Sequence, residues 1–219
     1  MNQKIKNIVF DVDGTLLFTS PGIYYCLEFT LKKMGLPVPP EPVLRKCVGP
    51  PLTDSFKKRL GVPLDRVDEA MHIYRAEYVR KGEFMCEPYD GLDVTLKGLK
   101  EEGYSLFVAS SKTETSCQAM LEKVGFAKYF DDICGADFSK NIEKKIEVLT
   151  ELFRRNPSMK KEESYLVGDT YFDAEGATAF GIDCLGVLYG FGEKKTLIEY
   201  GCRAVVEKPA DIKLYFDNL

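Results

Sequence analysis

A single histidine, His72, is all that this 219-residue chain offers for imidazole chemistry. It lies in a polar-rich helical stretch, and no Gly-x-Ser-x-Gly turn exists to set a serine nucleophile beside it. His72 therefore reads as solvent-facing or helix-packing. Paired cysteines are missing too. Cys26, Cys47, Cys86, Cys117, Cys134, Cys184 and Cys202 are widely spaced, odd in number and without a Cys-x-x-Cys. That excludes a zinc pattern or a disulfide framework and leaves reduced, partly buried thiols. There is no basic run, and 30 basic against 34 acidic residues give a net charge of −4. Nucleic acid and anionic membranes are thus set aside as main partners, while a local cationic site for a small anion remains open. No stretch of 18 apolar residues occurs. Met1-Asn2-Gln3-Lys4-Ile5-Lys6 lacks the apolar centre of a secretory leader, so the expected location is the cytoplasm. Internal repeats and low-complexity tracts are also absent.

With 45% hydrophobic and 29% charged residues, the composition is that of a globular protein. The length suits one large domain, or one with a smaller domain inserted. Residues 16–87 read as helical. Helices are expected over 22–34, 41–47, 53–60 and 64–81, the last with Val67, Ala70, Met71, Tyr74, Tyr78 and Val79 on one face. The breakers are Gly35 to Pro42, Gly49-Pro50-Pro51 and Gly61-Val62-Pro63. From Pro88-Tyr89-Asp90-Gly91 the texture changes. Strands over 104–109, 132–134, 164–167, 182–187 and 203–206 alternate with helices over 92–102, 113–124, 141–155, 173–180, 193–200 and 211–217. That alternation indicates an α/β fold with a doubly wound parallel sheet, joined by strand 5–10. The expected domains are an α/β core of 1–15 and 88–219 and an inserted α-helical cap of 16–87.

Ile5 to Phe10 reads as a buried strand that runs directly into Asp11-Val12-Asp13-Gly14-Thr15. Ligands bind at the carboxyl ends of strands in open parallel sheets. Two acids one residue apart at such an end repel unless a cation, a proton or a positive partner compensates them. The pair suits a metal-assisted reaction in which one carboxylate attacks and its neighbour carries a proton. An ordinary Asp-Gly turn is the competing reading. A calcium loop fails, because its sixth position is Leu16 and its twelfth is Gly22.

Two other strand ends carry matching chemistry. Ser110-Ser111-Lys112 follows strand 104–109 just before a helix, where hydroxyls and free N–H groups either bind an anion or cap the helix. Gly168-Asp169-Thr170-Tyr171-Phe172-Asp173 follows strand 164–167. Its two acids stand four residues apart, and Asp173 also suits the positive end of the helix dipole. Asp11 and Asp169 supply the hard oxygen ligands that Mg²⁺ prefers. Positive charge for an anionic substrate is expected from Lys145, with Lys144 as the alternate. Lys112 is open between phosphate binding and helix support.

Taken in order, Asp-x-Asp-Gly-Thr, the strand-terminal Ser110, the helix-borne Lys145 and Gly-Asp-x-x-x-Asp resemble the haloacid-dehalogenase superfamily of phosphotransferases over essentially the whole chain. The helical insert is similar to that superfamily's type-1 cap. Gly49-Pro50-Pro51-Leu52-Thr53-Asp54-Ser55-Phe56 and Pro88-Tyr89-Asp90-Gly91 resemble its phosphoglycolate phosphatase-like group, although Phe18 stands where that group commonly carries an acid.

The resemblance implies Asp11 as nucleophile and Asp13 as general acid and base. Mg²⁺ would be held by Asp11, the Asp13 backbone carbonyl and Asp169, with Asp173 supporting, and phosphate by Ser110 and Lys145. Arg45 and Lys46 of the cap are candidates to meet a substrate carboxylate or second phosphate. The implied activity is hydrolysis of a small phosphomonoester, 2-phosphoglycolate first. A 5'-nucleotidase or an inorganic pyrophosphatase is the alternative, ahead of a sugar phosphomutase or a non-enzymatic phosphate-binding module. A dehalogenase is disfavoured by Asp13, and a mutase by the lack of a histidine soon after the first motif. The implied partner is a small phosphorylated metabolite, and the protein a monomer or homodimer.

Overall fold

The run Asn7-Ile8-Val9-Phe10 is buried throughout, and the main sheet assembles on both sides of it. The computed structural model describes residues 5–49 and 52–219. Pro50, Pro51 and the first four residues lie outside that range, so the expected stop at Gly49-Pro50-Pro51 is described only at Gly49.

Along the chain, β1 (Asn7–Phe10) and β2 (Leu17–Phe18) are followed by α1 (Ser20–Lys33), α2 (Glu41–Arg45), α3 (Leu52–Lys58) and α4 (Val67–Arg80). Then come β3 (Glu87–Pro88), α5 (Leu92–Glu101), β4 (Ser105–Thr113), α6 (Glu114–Lys123) and β5 (Asp132–Ala136). The chain ends with α7 (Lys145–Arg155), β6 (Ser164–Gly168), α8 (Tyr171–Phe180), β7 (Asp183–Val187), α9 (Lys194–Glu199), β8 (Cys202–Val206) and α10 (Pro209–Asp217). It divides into two compact units, Met1–Phe18 with Pro88–Leu219, and Thr19–Glu87.

The first unit holds a six-stranded sheet ordered β5-β4-β1-β6-β7-β8, every neighbouring pair parallel. Helices cover both faces, which is why its strands are apolar without alternation. Val9, Phe107, Cys134 and Leu166 pack with Val148, Leu149 and Leu152 of α7 and with Ala174 and Ala177 of α8. The remaining helices include α5 and α10, whose Leu92, Leu96, Leu99, Ile212 and Phe216 are buried. Because β1 lies between β4 and β6, the winding reverses there, and the crevice of a doubly wound sheet opens at such a reversal.

The second unit is helical, as its apolar spacing requires. Val67, Ala70, Met71, Tyr74 and Tyr78 of α4 are buried. Val79 is not: it is 58% exposed, being one step around the helix from Tyr78, and Glu77 is buried instead. Tyr25 donates to Glu77 at 2.6 Å and Arg80 donates to both of its oxygens. These contacts, Arg80 foremost, hold that carboxyl down at about 2. His72 faces solvent. All seven cysteines are buried and unbridged. Among the described residues, no helix is long and apolar enough to cross a membrane.

Several boundaries move for physical reasons. β4 continues past Ala109 to Thr113 through a register shift against β5, so α6 begins at Glu114. α7 begins at Lys145 rather than Asn141. Asn141 is left-handed (φ 56°), and the Glu147 carboxylate takes the N–H groups of Glu143 and Lys144 that a longer helix would bury in its ladder. α8 begins two residues before Asp173.

Gly22 in α1 is a close-approach site. A Cβ there would lie 2.0 Å from the Gly82 carbonyl oxygen. Gly22→Ala is expected to destabilise the protein by about 1–3 kcal/mol through overpacking. Urea unfolding followed by circular dichroism measures this, and stability within about 0.5 kcal/mol of the parent would contradict the packing described.

Candidate active site

Asp11 is the residue after β1, and its N–H donates to the Val167 carbonyl at 3.0 Å, which extends the β1–β6 ladder one step. That bond fixes a carboxylate that is only 8% exposed. From β6 come Asp169 and, two residues into α8, Asp173, both buried. One oxygen from each of Asp11, Asp169 and Asp173 falls within 4.8 Å of the others. The acids of two separate motifs therefore meet.

Lys145 answers their charge. Its Nζ donates to Asp11 Oδ1 at 2.7 Å and to the Ala109 carbonyl at 2.7 Å, and it pairs with Asp173 Oδ1 at 2.9 Å. It is itself buried, and room for it comes from Gly176, where a Cβ would stand 2.6 Å from the Lys145 side chain. Burial opposes its charge, yet Asp11 and Asp173 hold the ammonium above its ordinary range. Lys144 precedes the helix and is exposed, so the inward lysine is Lys145.

Asp173 combines the two roles open to it. Oδ1 faces Lys145, while Oδ2 accepts from the Thr170 N–H and hydroxyl, both at 2.9 Å, as a helix-capping acid does. Ser110 is buried and accepts the Lys112 N–H at 3.3 Å. It does not cap α6, whose first flanking residue is Thr113. Asp13 sits two residues beyond the end of the ladder at Asp11. Its Oδ2 pairs with Lys112 at 3.1 Å, and its Oδ1 is buried without a hydrogen-bond partner among the described residues. Arg45 and Lys46 of the helical unit are both exposed at the end of α2.

Spacing alone did not single out two other contributors, and it left the role of Lys112 open. Thr15 donates to Asp169 Oδ1 at 3.3 Å, and the Phe191 N–H donates to Oδ2 at 2.8 Å. Lys112 turns out to be the partner of Asp13. Phe191 belongs to the loop Tyr189-Gly190-Phe191-Gly192, where Cβ atoms on Gly190 and Gly192 would strike Asp169. Two glycines one residue apart after a strand are the available signal for such close backbone passage. Gly14 obeys the same constraint: with φ +81°, its Cβ position is 2.1 Å from Asp169 Oδ2.

Burial and like charge strain these acids. Burial pushes the Asp11 carboxyl up to about 6 against the pull of Lys145, and Asp173 and Asp13 add to the rise. Asp169 is raised well above its ordinary value, by burial first and then by Asp173 and Asp11, despite its bonds to Phe191 and Thr15. Crowded, dehydrated oxygens of this kind fit a hard divalent cation, which replaces the missing compensation.

A family model described as haloacid dehalogenase-like hydrolase matches residues 8–187. The chain belongs to that family. It is 31% identical to a 5'-nucleotidase of Pseudomonas aeruginosa, over 89% of this chain and 87% of that protein. It is 28% identical to a phosphoglycolate phosphatase of Aquifex aeolicus, over 98% of each. A crystal structure titled as a predicted phosphatase from Clostridium acetobutylicum superposes with a TM-score of 0.92 at 29% identity, covering 99% of this chain and 100% of that one. This haloacid dehalogenase-like hydrolase therefore has the α/β core expected of its sequence.

Lys145→Met removes the cation between Asp11 and Asp173. Breaking a buried pair in this way is expected to cost about 3–5 kcal/mol in metal-free protein. A melting temperature equal to that of the parent would refute this role. The raised Asp11 value also fixes a pH dependence. An acid with a raised folded-state value contributes stability fully present below about pH 4, lost as pH rises through about 6. Stability differences between chelator-treated parent and Asp11→Asn, measured from pH 4 to 7, should carry this slope; a flat difference contradicts it.

Proposed function

We propose that this hydrolase is a Mg²⁺-dependent phosphatase that releases inorganic phosphate from small phosphomonoesters through an aspartyl-phosphate on Asp11. The observation that carries the reading is the meeting of Asp11, Asp169 and Asp173 around buried Lys145, beside an Asp13 oxygen that has no partner among the described residues.

Asp11 attacks phosphorus in line, and the bond from phosphorus to the ester oxygen breaks. Asp13 gives its proton to that departing oxygen from Oδ1, while Lys112 holds Oδ2. The same carboxylate then takes a proton from the water that attacks the aspartyl-phosphate, which frees phosphate and restores Asp11. Ser110 and Lys145 bind the oxygens of the transferring group. Asp11, Asp169 and the Asp13 carbonyl would hold Mg²⁺, with Asp173 supporting. Bound there, the cation neutralises charge on the phosphoryl group, the main requirement of this chemistry.

For the alcohol half, two relatives support two candidates. The Aquifex phosphatase, alike over the full chain, favours 2-phosphoglycolate, and the Pseudomonas 5'-nucleotidase favours a nucleoside monophosphate. The helical unit at 19–87 is assigned the selection of substrate, with Arg45 and Lys46 as its candidate anion contacts.

Parent protein should release phosphate from p-nitrophenyl phosphate with Mg²⁺ and lose that activity on chelation. Asp11→Asn should be slower by at least roughly a thousandfold. Phosphate release by Asp11→Asn at the parental rate overturns the assignment.

A further inference from the structure

Four aromatic side chains of the α/β unit gather around the turn that carries Asp11 and Asp13. Phe18 ends β2 and is 42% exposed. Its ring centroid lies 6.1 Å from that of Tyr89, edge to face at 64°. Tyr89 lies 4.7 Å from Tyr189 at 56°. Tyr189 donates its hydroxyl to the Thr15 carbonyl at 3.0 Å, so the row is tied to the turn itself. Phe191 also reaches the turn, its ring 2.6 Å from where a Gly14 Cβ would be. Tyr89, Tyr189 and Phe191 are only partly buried, so the row is not sealed into the core.

An isolated exposed phenylalanine needs no explanation. A row of touching rings that starts at an exposed Phe18 and ends on the catalytic turn does need one. Its chemistry complements the reaction. Burial first, and then the charges of Asp169 and Asp13, raise the Tyr89 phenol above its ordinary value. The rings reach the turn at the Thr15 carbonyl and at Gly14, the two residues that follow Asp13. The cations at the carboxylates are already engaged, Lys112 by Asp13 and Lys145 by Asp11, Asp173 and the Ala109 carbonyl. This surface offers a second anionic group little and a flat ring several stacking partners.

We propose that the alcohol half of the substrate bears a flat aromatic ring, as in a nucleoside 5'-monophosphate or an aryl phosphate, and that Phe18 and Tyr89 determine specificity by binding it. The proposal rests on the phosphatase reading of Asp11 and narrows its substrate to ring-bearing esters over 2-phosphoglycolate.

The test is kcat/KM for adenosine 5'-monophosphate, p-nitrophenyl phosphate and 2-phosphoglycolate, in parent, Phe18→Ala, Tyr89→Ala and Tyr89→Phe. The parent should prefer the better ring ester over 2-phosphoglycolate by at least about tenfold. Each alanine variant should lower that ratio about tenfold, the size of one lost stacking contact, while Tyr89→Phe restores it. Whichever ring ester leads assigns the ring to a nucleobase or to an aryl group. Calorimetric titration of both ring esters into Asp11→Asn, with and without Tyr89→Ala, reads ring binding without turnover and should show the same loss. Preference for 2-phosphoglycolate, or a ratio unmoved by both alanine variants, overturns the proposal and leaves the phosphatase reading standing. No phosphate release from any ester overturns that reading, and the titration then decides ring binding alone.

Discussion

Everything around the site depends on compensating carboxylates that the fold brings into one dehydrated place. Asp11, Asp13, Asp169 and Asp173 converge there, and Lys145 and Lys112 are the ammonium groups set against them. Four acids against two bases leave an excess of two negative charges when all are ionised, and burial makes that excess costly. Raised Asp11 and Asp169 values are its signature. One divalent cation would cancel it, which is the physical reason the arrangement suits a hard divalent ion better than another ammonium. Lys145 does more than balance charge: by bonding the residue after β1, a carbonyl of β4 and an acid of α8, it sets the spacing of three elements at the sheet's reversal.

Such convergence demands backbone without side chains at particular points. The turn at Gly14 and the loop at Gly190 and Gly192 pass so near Asp169 that a methyl group would overlap its carboxylate or carbonyl. Gly176 does the same for Lys145 on α8. These glycines convert the ends of central strands into a site, because the acids can then be approached from several sides while staying dry. The cost is a backbone that tolerates no ordinary substitution there.

The sequence was most legible where one motif coincides with one strand end. Ile8-Val9-Phe10 before Asp11, and Leu166-Val167 before Gly168-Asp169, announce both the strands and the acids, since a buried parallel strand is an apolar run and its end is where polar residues can begin. Legibility failed where tertiary contacts override local pattern. A helix was expected from Thr113, but pairing with β5 draws the strand on through that residue. The helix expected from Asn141 waits for Lys145 because Glu147 satisfies the preceding amides. Val79 matched the apolar count of α4 and still faces solvent, while Glu77 is buried with its carboxylate bonded by Tyr25 and by Arg80, which itself stays exposed. The partner of Lys112 was beyond reach, since nothing within a single segment says that β4 will deliver its lysine to the turn after β1.

That contrast separates two kinds of information in the chain. Reaction chemistry is written in short strand-end motifs, because a nucleophile, a proton carrier and metal ligands must be fixed to within fractions of an ångström, and strand ends are the stiffest supports available. Recognition of the alcohol half has no such need for a fixed point. A stacked ring tolerates sliding, and rings from β2, the segment after β3 and the loop after β7 serve it without any shared spacing. The same reasoning explains why Phe18 and Tyr89 are silent as motifs.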